Sequence, residues 1–310
     1  MADSVKTYIP SCAEMFSGFE NVETIEIGEL NTIACTSMTN MFYDCKKLKS
    51  LDLSKINTGQ VEDMGGMFWK CSSLTSLNIS SFYTKNCKSM DSMFDTCTSL
   101  VSVVFPSEMR SDSLLYLAQM FRSCTSLKSL KFPATFTTSK VKDIRCMFGW
   151  CSSLESLDIR YFDTSNATSL EWMFIGCKKL TSLQHNLSSK NATSLECMFK
   201  DCSSLTSINV GNFKTSKVTS MKEMFMNCSN IIRLDISMFN MSKVTNMESL
   251  FRGCEKLRTL VVSRQQFTEN FLTQLGMYMP HIRVVRQLHN QHKNPRGKDK
   301  DSRLRIVVTG

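Results

Sequence analysis

The 310-residue sequence has no run approaching ~18 consecutive apolar residues, so no helix is expected to cross a bilayer. Its opening stretch, Met1 to Pro10, lacks the apolar core of a secretory signal. Glycine is sparse, 12 residues scattered along the chain, which excludes collagen and any glycine-rich phosphate cradle. Neither a G-x-S-x-G elbow, nor H-E-x-x-H, nor a Cys/His nucleophile pair occurs. No enzymatic activity and no cofactor is therefore expected. Hydrophobic residues make up 42% and charged residues 21%, the balance of a folded chain and not of a coiled coil or a disordered one. Net charge is +9, from 37 Lys+Arg against 28 Asp+Glu. Cysteine is the exception to this sparseness: 14 are present, and without an export signal they point to free thiols in a reducing compartment.

What is abundant is repetition. Phe16, Phe42, Phe68, Phe94, Phe121, Phe148, Phe174, Phe199, Phe225 and Phe251 follow one another at 26, 26, 26, 27, 27, 26, 25, 26 and 26 residues. Methionine precedes all but the last, where Leu250 stands, and each Phe after the first is followed three residues on by cysteine. Those cysteines are Cys45, Cys71, Cys97, Cys124, Cys151, Cys177, Cys202, Cys228 and Cys254. The tightest cysteine pairs, Cys146/Cys151 and Cys197/Cys202, are five apart, at the long limit of the C-x2–4-C spacing of zinc ligands, and neither has a second close pair beside it in sequence to complete a site. The nine are read as a structural ladder of small buried thiols, with no metal.

Within a unit the apolar period changes. Val218, Met221, Met224, Phe225 and Cys228 fall on one face of a short helix, and Thr168/Glu171, Thr193/Glu196 and Thr245/Glu248 have the spacing of helix-start capping boxes. After the cysteine the pattern becomes that of a strand, as in Leu74, Leu77, Ile79 and Leu154, Leu157, Ile159. A helix and a strand every 26 or so residues predict a leucine-rich-repeat solenoid of about ten coils. Strands would pair in parallel on a concave face, with the wider helices on the convex side.

The run Met-Phe-x-x-Cys-x-x-Leu-x-Ser-Leu-(Asp/Asn)-(Leu/Ile)-Ser, followed by Phe-x-Thr-Ser-x-Val-x-x-Met, resembles the BspA-type leucine-rich repeats over about residues 15 to 263. Such repeats occur in bacterial and protist surface proteins and in virus-encoded proteins, and the resemblance implies binding or adhesion without catalysis.

Four segments are expected: an N-terminal cap at 1–18, the solenoid at 19–263, a capping helix and strand at 264–288, and a basic arm at 289–310. Phe267, Phe271, Leu272, Leu275 and Tyr278 suggest the capping helix, and His281 to Val285 a last strand. Residues 264–310 carry nine Lys+Arg against three Asp+Glu, so +6 of the net +9 lies there. Arg296, Lys298, Arg303 and Arg305 line the arm, which ends in a strand-like stretch containing Ile306 and Val308 that is suited to adding to a neighbour's sheet or folding back on its own.

The other candidate sites are surface columns. Outward strand positions repeat Ser, Asp and Asn, and the pattern breaks at Val101, Val104, Lys128 and Lys131, beside Asp158. Tyr43 and Trp69 occupy equivalent places in neighbouring units, as flank packing or a contact patch. His185 stands where the repeat calls for an apolar residue, and His289 and His292 lie in the tail with no acid or cysteine to complete a metal site. Six Asn-x-Ser/Thr sequons, at Asn78, Asn166, Asn186, Asn191, Asn227 and Asn240, follow from the Ser/Thr-rich repeat. Asp52, Asp158 and Asp235 stand several coils apart, too far for paired acid–base work. The expected function is a protein-binding scaffold in a larger assembly such as a virus particle, located in a reducing compartment or a virion. An adhesin using the concave face is the alternative. Nucleic-acid contact by the tail is a further one, although no aromatic interleaves its cations to stack on bases.

Overall fold

A computed structural model describes residues 8–28, 30–266, 268, 271, 273, 282–285 and 304–309, the last two stretches as backbone apart from Ile306 and Val307. Eleven strands follow in order: β1 (Thr24–Ile25), β2 (Ser50–Leu51), β3 (Ser76–Asn78), β4 (Ser102–Val104), β5 (Ser129–Lys131), β6 (Ser156–Ile159), β7 (Ser182–His185), β8 (Arg233–Asp235), β9 (Thr259–Ser263), β10 (Ile282–Val285) and β11 (Leu304–Thr309). Every pairing is parallel, in register between successive coils, as in Ser129↔Ser156↔Ser182. A second parallel column on the other side of the coil runs through Ser11, Ser37, Asp63, Ser89, Tyr116, Asp143, Ser169, Ser194, Ser220 and Asn246, nine bridges joining ten coils. The solenoid expected from the repeat is present. Its ladder starts at Ser11, so residues counted as an N-terminal cap already belong to it.

The helices do not form. Among the described residues of the repeat, the Met-Phe segment is a run of tight turns. Alternate amides leave their own coil: Asn40 N donates to Gly65 O, Phe42 N to Met67 O and Asp44 N to Trp69 O, at 2.8–2.9 Å. The amides between them close local turns, Met41 N to Met38 O and Cys45 N to Phe42 O. Residues two before and two after each Phe take positive φ, as Asn40 (55°) and Asp44 (61°) do, the left-handed geometry that lets a turn reverse in one step. Gly66 needs that freedom doubly, since a Cβ there would meet Asn40 Oδ1. The physical reason is spacing. Both sides of each coil advance by one strand spacing of about 4.8 Å, and a helix about 10 Å wide cannot stack at that rise. The helix width that predicted a convex side is therefore missing. The capping boxes are corrected too: Thr168, Thr193 and Thr245 hydroxyls donate to carbonyls of the preceding coil, Lys142, Thr168 and Thr219.

Inside, the repeat stacks like on like. Neighbouring Phe rings lie 5.1–6.1 Å apart and nearly parallel from Phe16 to Phe251. Each ladder thiol donates to the Phe carbonyl of the preceding coil at 3.0–3.1 Å, from Cys45 on Phe16 to Cys254 on Phe225. That carbonyl also takes the amide of its own coil's cysteine, as Phe68 O takes Cys71 N. Cysteine suits this place because it is small, apolar and carries one weak donor. All 14 thiols are free and buried, and burial pushes those from Cys97 to Cys254 up. A parallel ladder of buried hydroxyls, including Thr32, Thr58, Thr138, Thr164 and Thr215, donates to the next coil at 2.7–3.1 Å.

The ends close differently from expectation. β11 inserts between β9 and β10, pairing Ile306 with Leu260 on one side and with Val284 on the other. Ile306 is fully buried. Of the two placements open to this strand it takes the second, folding back on its own sheet, where its two parallel partners, β9 and β10, bury Ile306. Of the predicted capping helix, Phe271 is buried, while Phe267, Leu272, Leu275 and Tyr278 lie outside the described residues. Gln266 seals the last coil: its amide donates to Ile236 O and Phe239 O and accepts Ser263 N, each at 2.6 Å.

His185 occupies the inward column of Ile159 and Ile236. Its Nδ1 accepts Leu187 N at 3.3 Å, and Phe213 packs edge-on 6.2 Å away. Burial lowers its pKa from 6.5 to about 4. The unfolded chain thus protonates it first, so its contribution is whole above about pH 6.5 and is lost as pH falls toward 4. His185→Leu is expected to remove an acid destabilisation of up to about 3 kcal/mol, measured as the difference in urea stability between pH 7 and 4.5. Equal pH dependence of the two proteins would contradict it. For the thiol ladder, Cys124→Ala is expected to cost about 1–2 kcal/mol, and the native protein to react with a thiol reagent far more slowly than the urea-unfolded one. Fast titration of native thiols would refute this burial.

Candidate functional site

The outward strand face is built from three columns. In the column of Asp52, Asn78, Asp158, Asn209 and Asp235, the side-chain oxygen accepts the amide two residues on at 2.9–3.2 Å, capping the strand end. Asp158 is held further by Arg160, whose guanidinium grips both carboxylate oxygens and lowers the carboxyl's pKa. Flanking charges are mostly paired, Lys49 with Glu23 at 2.8 Å and Arg233 with Asp235 at 3.7 Å.

The fourth and fifth coils depart from this. Val104 stands in the capping column, 53% exposed, and Val101 is 47% exposed. Lys128 and Lys131 are exposed in the next coil and meet no carboxylate in an ion pair among the described residues. The strand side is interrupted at three places, between β2 and β3, between β4 and β5 and between β7 and β8, and the second of these falls here. The structure therefore brings Val101, Val104, Lys128 and Lys131 together at a break in the sheet. Asp158 lies one coil on, engaged in its cap.

Tyr43 and Trp69 meet on the turn side, ring centroids 4.9 Å apart. The Lys70 ammonium sits 5.2 Å from both rings and donates to the Tyr43 hydroxyl at 3.0 Å, which raises its pKa. The three side chains pack on one another, and the buried Trp69 Nε1 has no hydrogen-bond partner among the described residues. Arg296, Lys298 and Arg303 lie outside the described residues, and Arg305 and Val308 are placed by their backbone in β11. The sequon asparagines are partly used by the fold: Asn166 and Asn191 donate to Ser139 O and Ser165 O of the preceding coil.

Sequence reasoning missed Trp150 and Trp172 on the turn side, which are 42% and 39% exposed. The available signal was tryptophan at positions where other units carry glycine, asparagine or serine. A cavity of about 190 Å³ beside Gln266, lined by Met241, Val244, Met247 and Phe271, was also not foreseen. Among the described residues no group of three or more His, Cys, Asp or Glu is placed to hold a metal ion, and no helix is long and apolar enough to cross a membrane.

Asp158→Ala is expected to cost about 0.5–1 kcal/mol by removing the strand-end cap, and Asp158→Asn almost nothing, read by urea denaturation. Equal losses would show that the Arg160 pair, not the cap, carries the effect.

Structural similarity extends to a leucine rich cell surface protein from Faecalibacterium prausnitzii A2-165, at 17% identity and TM-score 0.36, covering 80% of this chain and 82% of that one. A chain of the Drosophila Toll–Spatzle complex aligns at 16% identity and TM-score 0.28, covering 81% of this chain and 37% of that one. A chain of the TLR13–ssRNA13 complex aligns at 14% and 0.30, covering 94% and 41%. No curated protein matches the sequence. A model of the family described as "Mycoplasma protein of unknown function, DUF285" matches residues 10–131, 107–208 and 186–270, overlapping stretches that take in the whole solenoid, and the chain belongs to that family.

Proposed function

We propose that the chain is a non-enzymatic scaffold that docks other proteins on its strand face, as a structural component of a larger assembly such as a virus particle. The observation that carries the reading is the exposed patch at β4 and β5. Val101 and Val104 leave apolar surface in water where other coils put Thr75 or Asn78, and Lys128 and Lys131 stand beside them without the carboxylates that pair Lys49 and Arg160. Apolar surface rimmed by uncompensated cations suits a partner face that is apolar at its centre and acidic at its rim. The ten-coil solenoid supports the reading mechanically, since both of its sides are tied coil to coil by backbone hydrogen bonds. The BspA-type motif supports binding as the general role. The free, buried thiols suit a reducing compartment or the interior of a particle. Docking through β11 forms no part of this proposal, because that strand is paired on both edges.

The test replaces the patch by the residues of ordinary coils, Val101→Thr, Val104→Asn, Lys128→Thr and Lys131→Asn together. Cross-linking and affinity capture from the native source should lose the partner with this variant while its melting temperature stays within a few degrees. Retained capture would overturn the strand-face reading.

A further inference from the structure

The turn side carries a second surface, in the sixth to eighth coils, which goes beyond the docking reading above and stands without it. Its left-handed positions hold Cys146, Trp150, Trp172 and Cys197, with φ of 57°, 58°, 58° and 53°. Elsewhere the same positions hold Gly, Asn and Asp, which adopt this backbone more readily, and polar residues such as Glu14, Lys70, Gln119 and Glu223, but no aromatic residue. A bulky side chain there costs roughly 1–2 kcal/mol. The indoles do not recover it by burial, because Trp150 stays 42% and Trp172 39% exposed. Two large apolar groups are thus placed at unfavourable backbone positions and left in water.

Both rings are nonetheless held. Trp150 lies against the backbone of Gly176, where an added Cβ would meet its Cδ1 at 2.8 Å. Trp172 stands near the Cys197 thiol, which donates to Glu223 Oε2 at 3.5 Å. Cys146, Ile175 and Cys197 form a small buried cluster of their own, separate from the main core. Pre-positioned, half-exposed indoles are the side chains that dominate protein–protein contacts.

The charges around them decide the partner. Of the cations on these turns, Arg145 is taken by Asp143 at 2.7 Å, Lys200 by Glu223 at 2.6 Å and Lys222 by Glu248 at 2.9 Å, while Lys178 and Lys179 follow the turn, exposed. Glu171, Glu196 and Asp201 have no ion pair among the described residues; Glu196 accepts the Ser220 hydroxyl and Asp201 the Asn227 amide. Glu171 and Glu196 stand at the same position of successive coils, immediately before Trp172 and Cys197. A chain of net charge +9 therefore presents surplus carboxylates beside its two exposed indoles. We propose that this face docks an extended basic segment of a partner protein, with arginine or lysine side chains laid over Trp150 and Trp172 and paired to Glu171 and Glu196.

The probe is a fluorescein-labelled octa-arginine peptide, with octa-glutamate as control, read by anisotropy against the full chain. Octa-arginine is expected to bind despite the chain's positive net charge, and octa-glutamate not to compete for the same site. Trp150→Asn with Trp172→Asn should weaken octa-arginine at least tenfold. Asparagine accepts the left-handed backbone and leaves the charge unchanged, so these variants should melt no lower than the parent and the loss reads the indoles alone. Glu171→Gln with Glu196→Gln should weaken binding similarly and flatten its salt dependence. The strand-face quadruple variant should bind octa-arginine as the parent does, which separates this proposal from the earlier one. No binding by the parent chain, or undiminished binding by the folded asparagine variants, would overturn it.

Discussion

Alternate amides on either side of each Phe are spent on the neighbouring coil, and almost everything else in the molecule answers to that commitment. Because the Phe amide reaches the carbonyl before the next coil's Phe at 2.9–3.1 Å along the whole ladder, successive coils are locked at one rise on the turn side as well as on the strand side. Equal rise on both sides lets identical residues stack. The Phe rings, the thiols and the Thr hydroxyls each meet a copy of themselves one coil on. A donor on one coil then always finds the same acceptor on the next. Mutual support between columns of this kind makes a repeat array stable although no single coil has a core.

The same commitment explains where surface freedom remains. Inward columns tolerate little variation, and the exception, His185, is held neutral by burial. Outward columns are free once their backbone duties are met. The strand-face Asp and Asn residues turned out to be caps, so an apparent polar trough is in large part local architecture. Val104 and Lys131, which cannot cap, stand at one of the three interruptions of the strand side, between β4 and β5. On the turn side the left-handed positions take many side chains, from the buried Cys146 and Ser249 to the half-exposed Trp150 and Trp172, the largest residues placed there.

Much of this was legible in the chain. The spacing of Phe, Met and Cys identified the coils one by one, and the Leu-x-x-Leu pattern located strands such as Ser156–Ile159 within a residue or two. The error lay in Val218 to Cys228, where a spacing of three and four residues matches both a helical face and a chain of tight turns. The turn chemistry at Asn40, Asp44, Gly66, Asn227 and Gly253 would have separated the two. The patch at Val101, Val104, Lys128 and Lys131 was visible as a break in a column, whereas the indoles were not, since their exposure follows from the left-handed turns that the helix reading had erased.

The sequence by itself determined the period, the number of coils, the identity of the Phe, Met, Cys and Leu columns and the parallel sense of the strands. Each of these follows from an apolar residue recurring where only stacking on a like neighbour can bury it. Tertiary structure alone decided how the amides of the Met-Phe segment are satisfied and where β11 goes. Both depend on partners more than 20 residues away: Phe42 N finds Met67 O, and Val307 lies between Val261 and Val285. A local pattern states which side chains must be hidden; it does not state which coil will take the backbone's hydrogen bonds.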